Sequence, residues 1–401
     1  MPQQVPPSLP NYSPDIFVDR EDQVARVVDY VRSIGRGLSA NKSIIIFEGG
    51  RGTGKSWLLT HIPHVLREQS IVAAIHCANL AAYSSVEADN AIRQVLKTFL
   101  REIDPNQGNS ASELRDLSRN LKDKVELVAT NGIVVLLDHV YEASLPLLER
   151  LEDYLILPLL SSSSVLFVLT GRGRFGMPWR HHQTRTKVEQ VNLAPFPTRD
   201  LVRKQVKVQI SDAQLSEDDI YEYGGGNPLA TYYLGMYSNP ADGLDCFITE
   251  TVKQAAEDMQ INGRESKEKE DEITRFIEKT RSYVEALSVL NFFADMQIGA
   301  MLAAYHNDPD YLTIPSAERQ RIRNLLYQYN FCWYHEEKGH TIDSQLRLKV
   351  MNYLRLHRPD QYICLHEAAV QYYTDLIEEL GNDSLWHDEI KYHRQEIIRC
   401  Q

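Results

Sequence analysis

The chain's 401 residues, 43% of them hydrophobic, are enough to bury large cores and by length suggest about two to four domains. No run approaches the roughly 18 apolar residues of a membrane span, and the N-terminus lacks the basic-then-apolar layout of a secretion signal, so a cytoplasmic protein with no membrane partner is expected. A net charge of −12 gives no global attraction to nucleic acid and leaves a local basic face as the route to DNA, while five scattered cysteines without a C-x-x-C argue against a disulfide framework.

Residues 1–16 open the chain with five prolines among Gln, Ser and Asn, a composition that cannot bury a core and reads as a tail or linker. Phe17-Val-Asp-Arg20 follows, and then Val24, Val27, Val28 and Val31 at helical spacing behind acids in the first turn.

Ser43-Ile-Ile-Ile-Phe-Glu-Gly-Gly-Arg-Gly-Thr-Gly-Lys-Ser56 combines a short buried-type strand, a glycine-rich turn and a helix start. Gly49, Gly54, Lys55 and Ser56 meet the pattern G-x-x-x-x-G-K-[ST], with Gly52 and Thr53 inside the loop and Trp57 opening the helix. Glycines let backbone N–H groups turn toward phosphate oxygens. Lys55 is expected at the β- and γ-phosphates and Ser56 on Mg²⁺, with the positive helix end adding to the anion site. Pro63 is expected to kink or end that helix.

A second strand is expected over residues 70–77, helices over 86–103 and 112–129, and a loop over 104–111. Gly132-Ile-Val-Val-Leu-Leu-Asp138 reads as a strand buried on both faces, with Asp138 at its carboxyl end placed to hold the Mg²⁺ shell. Where hydrolases of this kind carry a second acid, His139 stands, so either Glu142 polarises the attacking water, or His139 does so poorly, or hydrolysis is slow. Ser163 to Arg172 is another buried-type strand; Arg172 at its end is a candidate γ-phosphate sensor, with Arg174 competing. A final strand is expected over residues 188–193.

Beyond Thr198 the period becomes helical. Gly224-Gly-Gly-Asn-Pro-Leu-Ala230 reads as a helix stop followed by a helix start with Pro near the first turn. Residues 250–272 are strongly charged, residues 273–293 and 319–329 are helical, and Phe331 to Ile342 alternates around Glu-Lys-Gly as a β-hairpin. Cys332, His335 and His340 do not make a zinc site, since a fourth ligand and a recognised spacing are missing. Helices are expected over 346–356 and 362–380.

Phe17 to Arg20, Gly49 to Ser56, Leu136-Leu-Asp-His-Val-Tyr-Glu142, Val168 to Arg172 and Gly225-Gly-Asn-Pro-Leu-Ala230 resemble, in order and spacing, the STAND signal-transduction ATPases, the group that includes the NB-ARC and NACHT switch proteins. The resemblance covers residues 17 to about 355. It implies an α/β P-loop NTPase with a parallel sheet flanked by helices (17–195), an all-α lid (196–250), a charged helix or linker (251–272), a winged-helix domain (273–357) and C-terminal helices (358–401) similar to the entry of a TPR-like array. Arg20 would then cover the adenine side and Pro228 would pack on the nucleotide. Thr341-Ile-Asp343 stands where the family carries Met-His-Asp, which removes the histidine that touches the diphosphate. The implied function is an ATP/ADP switch and at most a slow Mg²⁺-dependent ATPase. It would form a homo-oligomer when activated and control an effector protein in trans, in bacterial defence or signalling. The array would belong to a longer parent, or the chain is a minimal form. The alternative is an AAA+ DNA-binding loader or regulator of the origin-recognition or transposition type that uses the winged helix on DNA; the acidic charge makes DNA the less favoured partner without excluding it.

Overall fold

The computed structural model describes residues 9–36, 42–71, 74–83, 86–105, 113–128, 132–162, 164–172, 179–257, 267–381 and 383–401. Most of the loop expected over 104–111, the expected helix start at Ser112, the competing Arg174 and part of the charged stretch 251–272 lie outside the described residues.

Five parallel strands, β1 (Ile44–Glu48), β2 (Ala74–Asn79), β3 (Ile133–Asp138), β4 (Val165–Gly171) and β5 (Val188–Asn192), form one sheet in the order β2-β3-β4-β1-β5. The continuous apolar runs occupy the centre because only a strand covered on both faces can be apolar throughout. In β1 the side chains divide with period two. Ile44 and Ile46 join the core containing Ile92, Leu96, Phe99, Leu148 and Phe167, whereas Ile45 and Phe47 join Val27, Leu58, Leu66 and Val168. The first face is covered by α3 (Ala88–Ile103), α4 (Leu114–Val128) and α5 (Leu145–Leu151), which continues through a π-turn at Glu152–Ile156 into α6 (Leu157–Leu159). The second is covered by α1 (Glu21–Gly35) and α2 (Lys55–Glu68). A short α7 (His182–Lys187) leads into β5.

Strand order decides where the polar residues gather. Because β4 pairs with both β1 and β3, through Ile45↔Val168 and Leu136↔Val168, the carboxyl ends of three strands stand side by side. These ends carry the glycine loop, Arg172 and Asp138.

The remaining chain is helical but for one hairpin. The region expected as a lid comprises α8 (Arg199–Gln209), α9 (Glu217–Gly224), α10 (Pro228–Met236) and α11 (Pro240–Glu257). After it come α12 (Lys267–Leu287), α13 (Asp295–His306), α14 (Ser316–Gln328), the antiparallel hairpin β6 (Cys332–His335) and β7 (Gly339–Ile342), and α15 (Ser344–His357). Three helices followed by a hairpin is the element order of a winged helix. Then α16 (Pro359–Leu380) and α17 (Ser384–Cys400) pack on one another. A single core, including Val202, Leu234, Phe247, Leu287, Phe293 and Leu365, joins the lid to these C-terminal elements.

Four expectations are corrected. Of the two effects expected of Pro63, ending α2 is excluded, since the helix runs on to Glu68. An interior proline costs about 3 kcal/mol, and burial of Leu58, Leu59, Ile62 and Leu66 on the sheet offsets it. The second strand begins at Ala74 rather than Ser70. The expected boundary at residue 251 falls inside α11, where Thr251 and Val252 are buried. Finally, the described part of the proline-rich segment packs against α2: the Tyr12 hydroxyl meets His61 Nδ1 at 2.8 Å, and Tyr12 makes an edge contact with Trp57.

Inside the C-terminal core, Glu285 has no exposed surface and receives Arg281 Nε at 2.5 Å, the Tyr305 hydroxyl at 2.6 Å and Arg358 at 3.4 Å. Arg281 also reaches Asp245 on α11 at 2.6 Å, so this network ties α11, α12, α13 and the entry to α16 together. Removing one member strands the others. Glu285→Ala should lower stability by about 3–5 kcal/mol, the range for breaking a buried ion pair, measured by urea unfolding; a loss below about 1 kcal/mol would show that water already serves these arginines.

Candidate functional site

Gly52 and Gly54 have φ of 77° and 88°, left-handed values that bend the backbone between β1 and α2. A Cβ on Gly52 would lie 2.5 Å from that of Leu229, so the loop and the start of α10 approach as closely as glycine permits. The outward carbonyls of the loop are all partnered. Lys55 Nζ donates to Gly49 O and Gly50 O at 2.8 Å each, and Thr53 Oγ1 also donates to Gly50 O. Asn227 Nδ2 donates to Arg51 O at 2.8 Å, the Leu229 amide to Gly52 O at 3.2 Å, and Arg20 Nη2 to Thr53 O at 3.0 Å. Asn227 is fully buried and caps α10, its Oδ1 accepting from the Ala230 amide, with Pro228 in the first turn.

Most of the residues singled out in sequence share one cavity of about 260 Å³: Arg20, Gly52, Thr53, Gly54, Lys55 and Ser56. Trp57, Arg172 and Pro228 line it too. Leu9 and Pro10 of the expected linker form part of its wall. Gly49 lies outside this cavity and faces an adjoining groove. Arg20 is 5% exposed and spans from Thr53 O to Ala194 O, at 2.8 Å, so it clamps the entry segment to the loop. Asp19 and Arg20 both have positive φ, a strained pair that this clamp holds in place. Burial lowers the Arg20 guanidinium from its ordinary value, and neighbouring Asp19 and Glu21 partly counter it.

Asp138 accepts from the Thr170 hydroxyl of β4 and, at 2.9 Å, from the His139 amide. Oδ1 takes both bonds, and Oδ2 is 3.6 Å from His139 Nε2. Asp138 and Ser56 offer hard oxygen donors, the set that suits Mg²⁺. His139 is held in a left-handed conformation and lines the cavity itself. Glu142 stands in the short 3₁₀ turn Val140–Glu142, and its side chain lies outside the described residues. Among the described residues no group of three or more His, Cys, Asp and Glu could hold a metal.

Several contacts that sequence reasoning passed over join the site to residues far along the chain. Arg51 Nη1 donates to Thr251 O and Arg172 Nη1 to Tyr329 O, each at 2.8 Å, so two arginines at the site hold the backbone of α11 and of the turn after α14. The Asp343 carboxylate approaches Gly50, with Trp333 Nε1 donating to it at 3.4 Å. Lys349 has no exposed surface; its Nζ donates to Gln345 Oε1 at 2.7 Å and faces Gly225. Of these residues Arg172, at the end of a strand, and Asp343, after the hairpin, carried a sequence signal, whereas Arg51 and Lys349 were given no role.

A glycine loop after the first strand, an acid ending β3, a polar residue and an arginine ending β4, and the order β2-β3-β4-β1-β5 define a P-loop NTPase fold followed by a helical region. Residues 16–168 match the AAA ATPase domain family. No curated protein matches the chain. Among solved structures, the ADP form of the Aeropyrum pernix ORC2 protein is 13% identical, with 86% of this chain and 96% of that chain covered and a TM-score of 0.47. The Aeropyrum pernix ORC1 protein in complex with DNA is 15% identical, covering 86% and 94%, with a TM-score of 0.42. A Pyrococcus horikoshii STAND protein with a tetratricopeptide repeat sensor is 14% identical, covering 98% of this chain and 54% of that one, with a TM-score of 0.35.

Lys55→Ala should abolish nucleotide binding; calorimetric titration reporting ATP affinity unchanged in the folded variant would remove the loop from the site. Burial pushes the Lys349 ammonium from its ordinary 10.5 down to about 7, partly opposed by Asp343. Between those pH values the unfolded chain holds a proton there that the folded one lacks, so this group makes stability rise with pH from about 7 to 10.5 and adds no slope below about 7. Lys349→Met should flatten that rise in urea midpoints taken from pH 6 to 9, and an unaltered rise would assign it to other groups.

Proposed function

We propose that the chain is a STAND-type switch that binds ATP or ADP with Mg²⁺ and controls an effector carried on another chain by opening and assembling. The observation that carries this reading is that Arg51 and Arg172, at the phosphate end of the cavity, donate to backbone carbonyls of the lid and of the winged-helix-like region. An arginine prefers a phosphate to a neutral carbonyl because both charges then share the bond. Lys55, which holds two loop carbonyls, has the same choice. Ser56 and Asp138 would hold Mg²⁺, which supplies charge neutralisation at the phosphates.

The magnitudes favour a concerted rather than a one-residue device. Moving an equilibrium from 1:99 to 99:1 takes about 5.5 kcal/mol of differential affinity, and a hydrogen bond to a charged group contributes about 1.5–3 kcal/mol. Arg172 alone is too weak; Arg172 with Arg51 reaches the required range. Asp343, placed at Gly50, adds repulsion toward extra negative charge and so favours the diphosphate in the closed arrangement. With His139 in place of a second acid, turnover is expected to be slow.

A second reading, a DNA-binding AAA+ loader, has one feature in its favour: α14 exposes Gln320, Arg321 and Asn324, side chains suited to base edges. Glu336 and Glu337 at the exposed hairpin tip would face the phosphates of a duplex and oppose it. Light scattering separates the two. A non-hydrolysable ATP analogue should raise the mass or radius of the wild-type chain above its ADP form, and Arg172→Gln should weaken that response. Equal radii in both nucleotides, together with duplex binding at physiological salt that falls steeply with added salt, would favour the loader.

A further inference from the structure

Two histidines that do not line the cavity take core positions in the C-terminal helices. On α16 the buried residues Tyr362, His366, Ala369 and Tyr373 follow helical spacing, and on α17 Ile390, His393 and Glu396 do the same. Both imidazoles have no exposed surface, and their Nδ1 atoms meet at 2.7 Å. Neither Nε2 has a hydrogen-bond partner among the described residues.

Proton counting shows what this contact tolerates. Two ring nitrogens in hydrogen-bond contact share one hydrogen, so one imidazole donates and the other accepts. Glu389 Oε2 lies 3.8 Å from His393 Nε2, too far for a hydrogen bond but close enough to favour a proton there. His393 Nδ1 is then the acceptor and His366 Nδ1 the donor, and His366 Nε2 keeps a bare lone pair. One further proton would enter at that Nε2, where no acceptor waits. A second would put N–H against N–H at the Nδ1 contact, between two cations.

The surrounding groups leave the sign unchanged. Tyr362 and Tyr373 of α16 face the pair with their rings, Glu389, Tyr392 and Glu396 face it from α17, and Arg347 from α15. From α13 comes the neutral Gln297, which donates to the Tyr373 hydroxyl. Both carboxylates are engaged elsewhere: Asn291 Nδ2 donates to Glu389 at 3.1 Å, and the Tyr362 hydroxyl and Arg399 donate to Glu396. Burial lowers both imidazoles from their ordinary value; Glu396 partly counters this at His366, while Arg347 adds to it at both.

We infer that the His366–His393 pair is an acid-sensitive catch, which holds α17 on α16 while both imidazoles are neutral and releases it when they are protonated. Release would uncover the Tyr362 and Tyr373 face of α16, which α17 now covers. In the released helix both histidines meet water and titrate near about 6.5, whereas the packed pair takes protons only at lower pH. The catch is therefore fully held above about pH 6.5 and weakens as pH falls below it, the opening equilibrium rising up to about tenfold per pH unit for each histidine. This inference is independent of the nucleotide reading.

Hydrogen exchange followed by mass spectrometry, corrected for the intrinsic pH dependence of amide exchange, tests it on the full chain. Between pH 7.5 and 5.5 the opening of residues 384–400 should increase about ten- to a hundredfold, one to two protons' worth, while β1 and β3 change less than about threefold. In the double variant His366→Gln/His393→Gln the same ratio should fall below about threefold; taken within one variant, it reads the proton dependence even where baseline stability drops. A ratio undiminished in that variant would overturn the inference. The wild-type profile decides without any variant: equal opening at both pH values, equal acceleration throughout the chain, or an onset only below about pH 5, where carboxylates titrate, would each overturn it.

Discussion

A loop that turns its amides inward must send its carbonyls outward, and each buried carbonyl needs a donor. Here the donors come from the loop itself, from the entry segment and from the start of α10. Lys55 and Thr53 serve Gly49 and Gly50 from within the loop, Arg20 serves Thr53 from the entry segment, and Asn227 and Leu229 serve Arg51 and Gly52 from the lid. The glycine loop is therefore the joint on which the modules meet as well as the candidate phosphate cradle. Its φ values at Gly52 and Gly54 make both roles possible. Anything that alters the loop's shape alters the bonds that seat the lid.

The same economy governs the strand ends. Thr170 and the His139 amide occupy one oxygen of Asp138 and orient the carboxylate. Arg172 reaches over to Tyr329, so the strand that carries the sensor candidate also carries a tie to the winged-helix-like region. On the other side of the cavity, Gln205 and Gln209 carry a hydrogen-bond relay from Ile16 to Pro228. Both ends of the cavity are thus bonded to elements outside the sheet unit, an arrangement that the proposed switch would need for coupling ligand to shape.

Rigidity is distributed unevenly around this joint. The sheet cores are built of interdigitating aliphatic side chains on both faces. The lid and C-terminal helices share a third core and are further tied by the Glu285 network. Between the sheet unit and that C-terminal mass, several of the ties are hydrogen bonds from Arg51, Arg172, Asn227 and Leu229. Hydrogen bonds exchange partners more readily than packed cores rearrange.

The sequence by itself determined what is written in covalent neighbours: the glycine loop between a strand and a helix, the apolar run ending in Asp138, the Gly-Gly-Asn-Pro cap of α10, the hairpin, and the succession of helices. Such features depend on backbone freedom, side-chain period and capping within a few residues, so they are legible locally. Pro63 defeats a local reading because the burial that overrides it comes from the sheet beneath α2. Only the tertiary structure decided that Arg20 clamps the loop rather than standing free beside the cavity, that Asn227 caps Arg51 as well as its own helix, and that Asp343 comes to Gly50. It also decided that Lys349 loses all contact with water and that Gln205 Oε1 is buried without a partner among the described residues. These partners lie far apart along the chain, and neither hydropathy nor spacing records which distant carbonyl a buried amide will meet; the packing of the third core settles that.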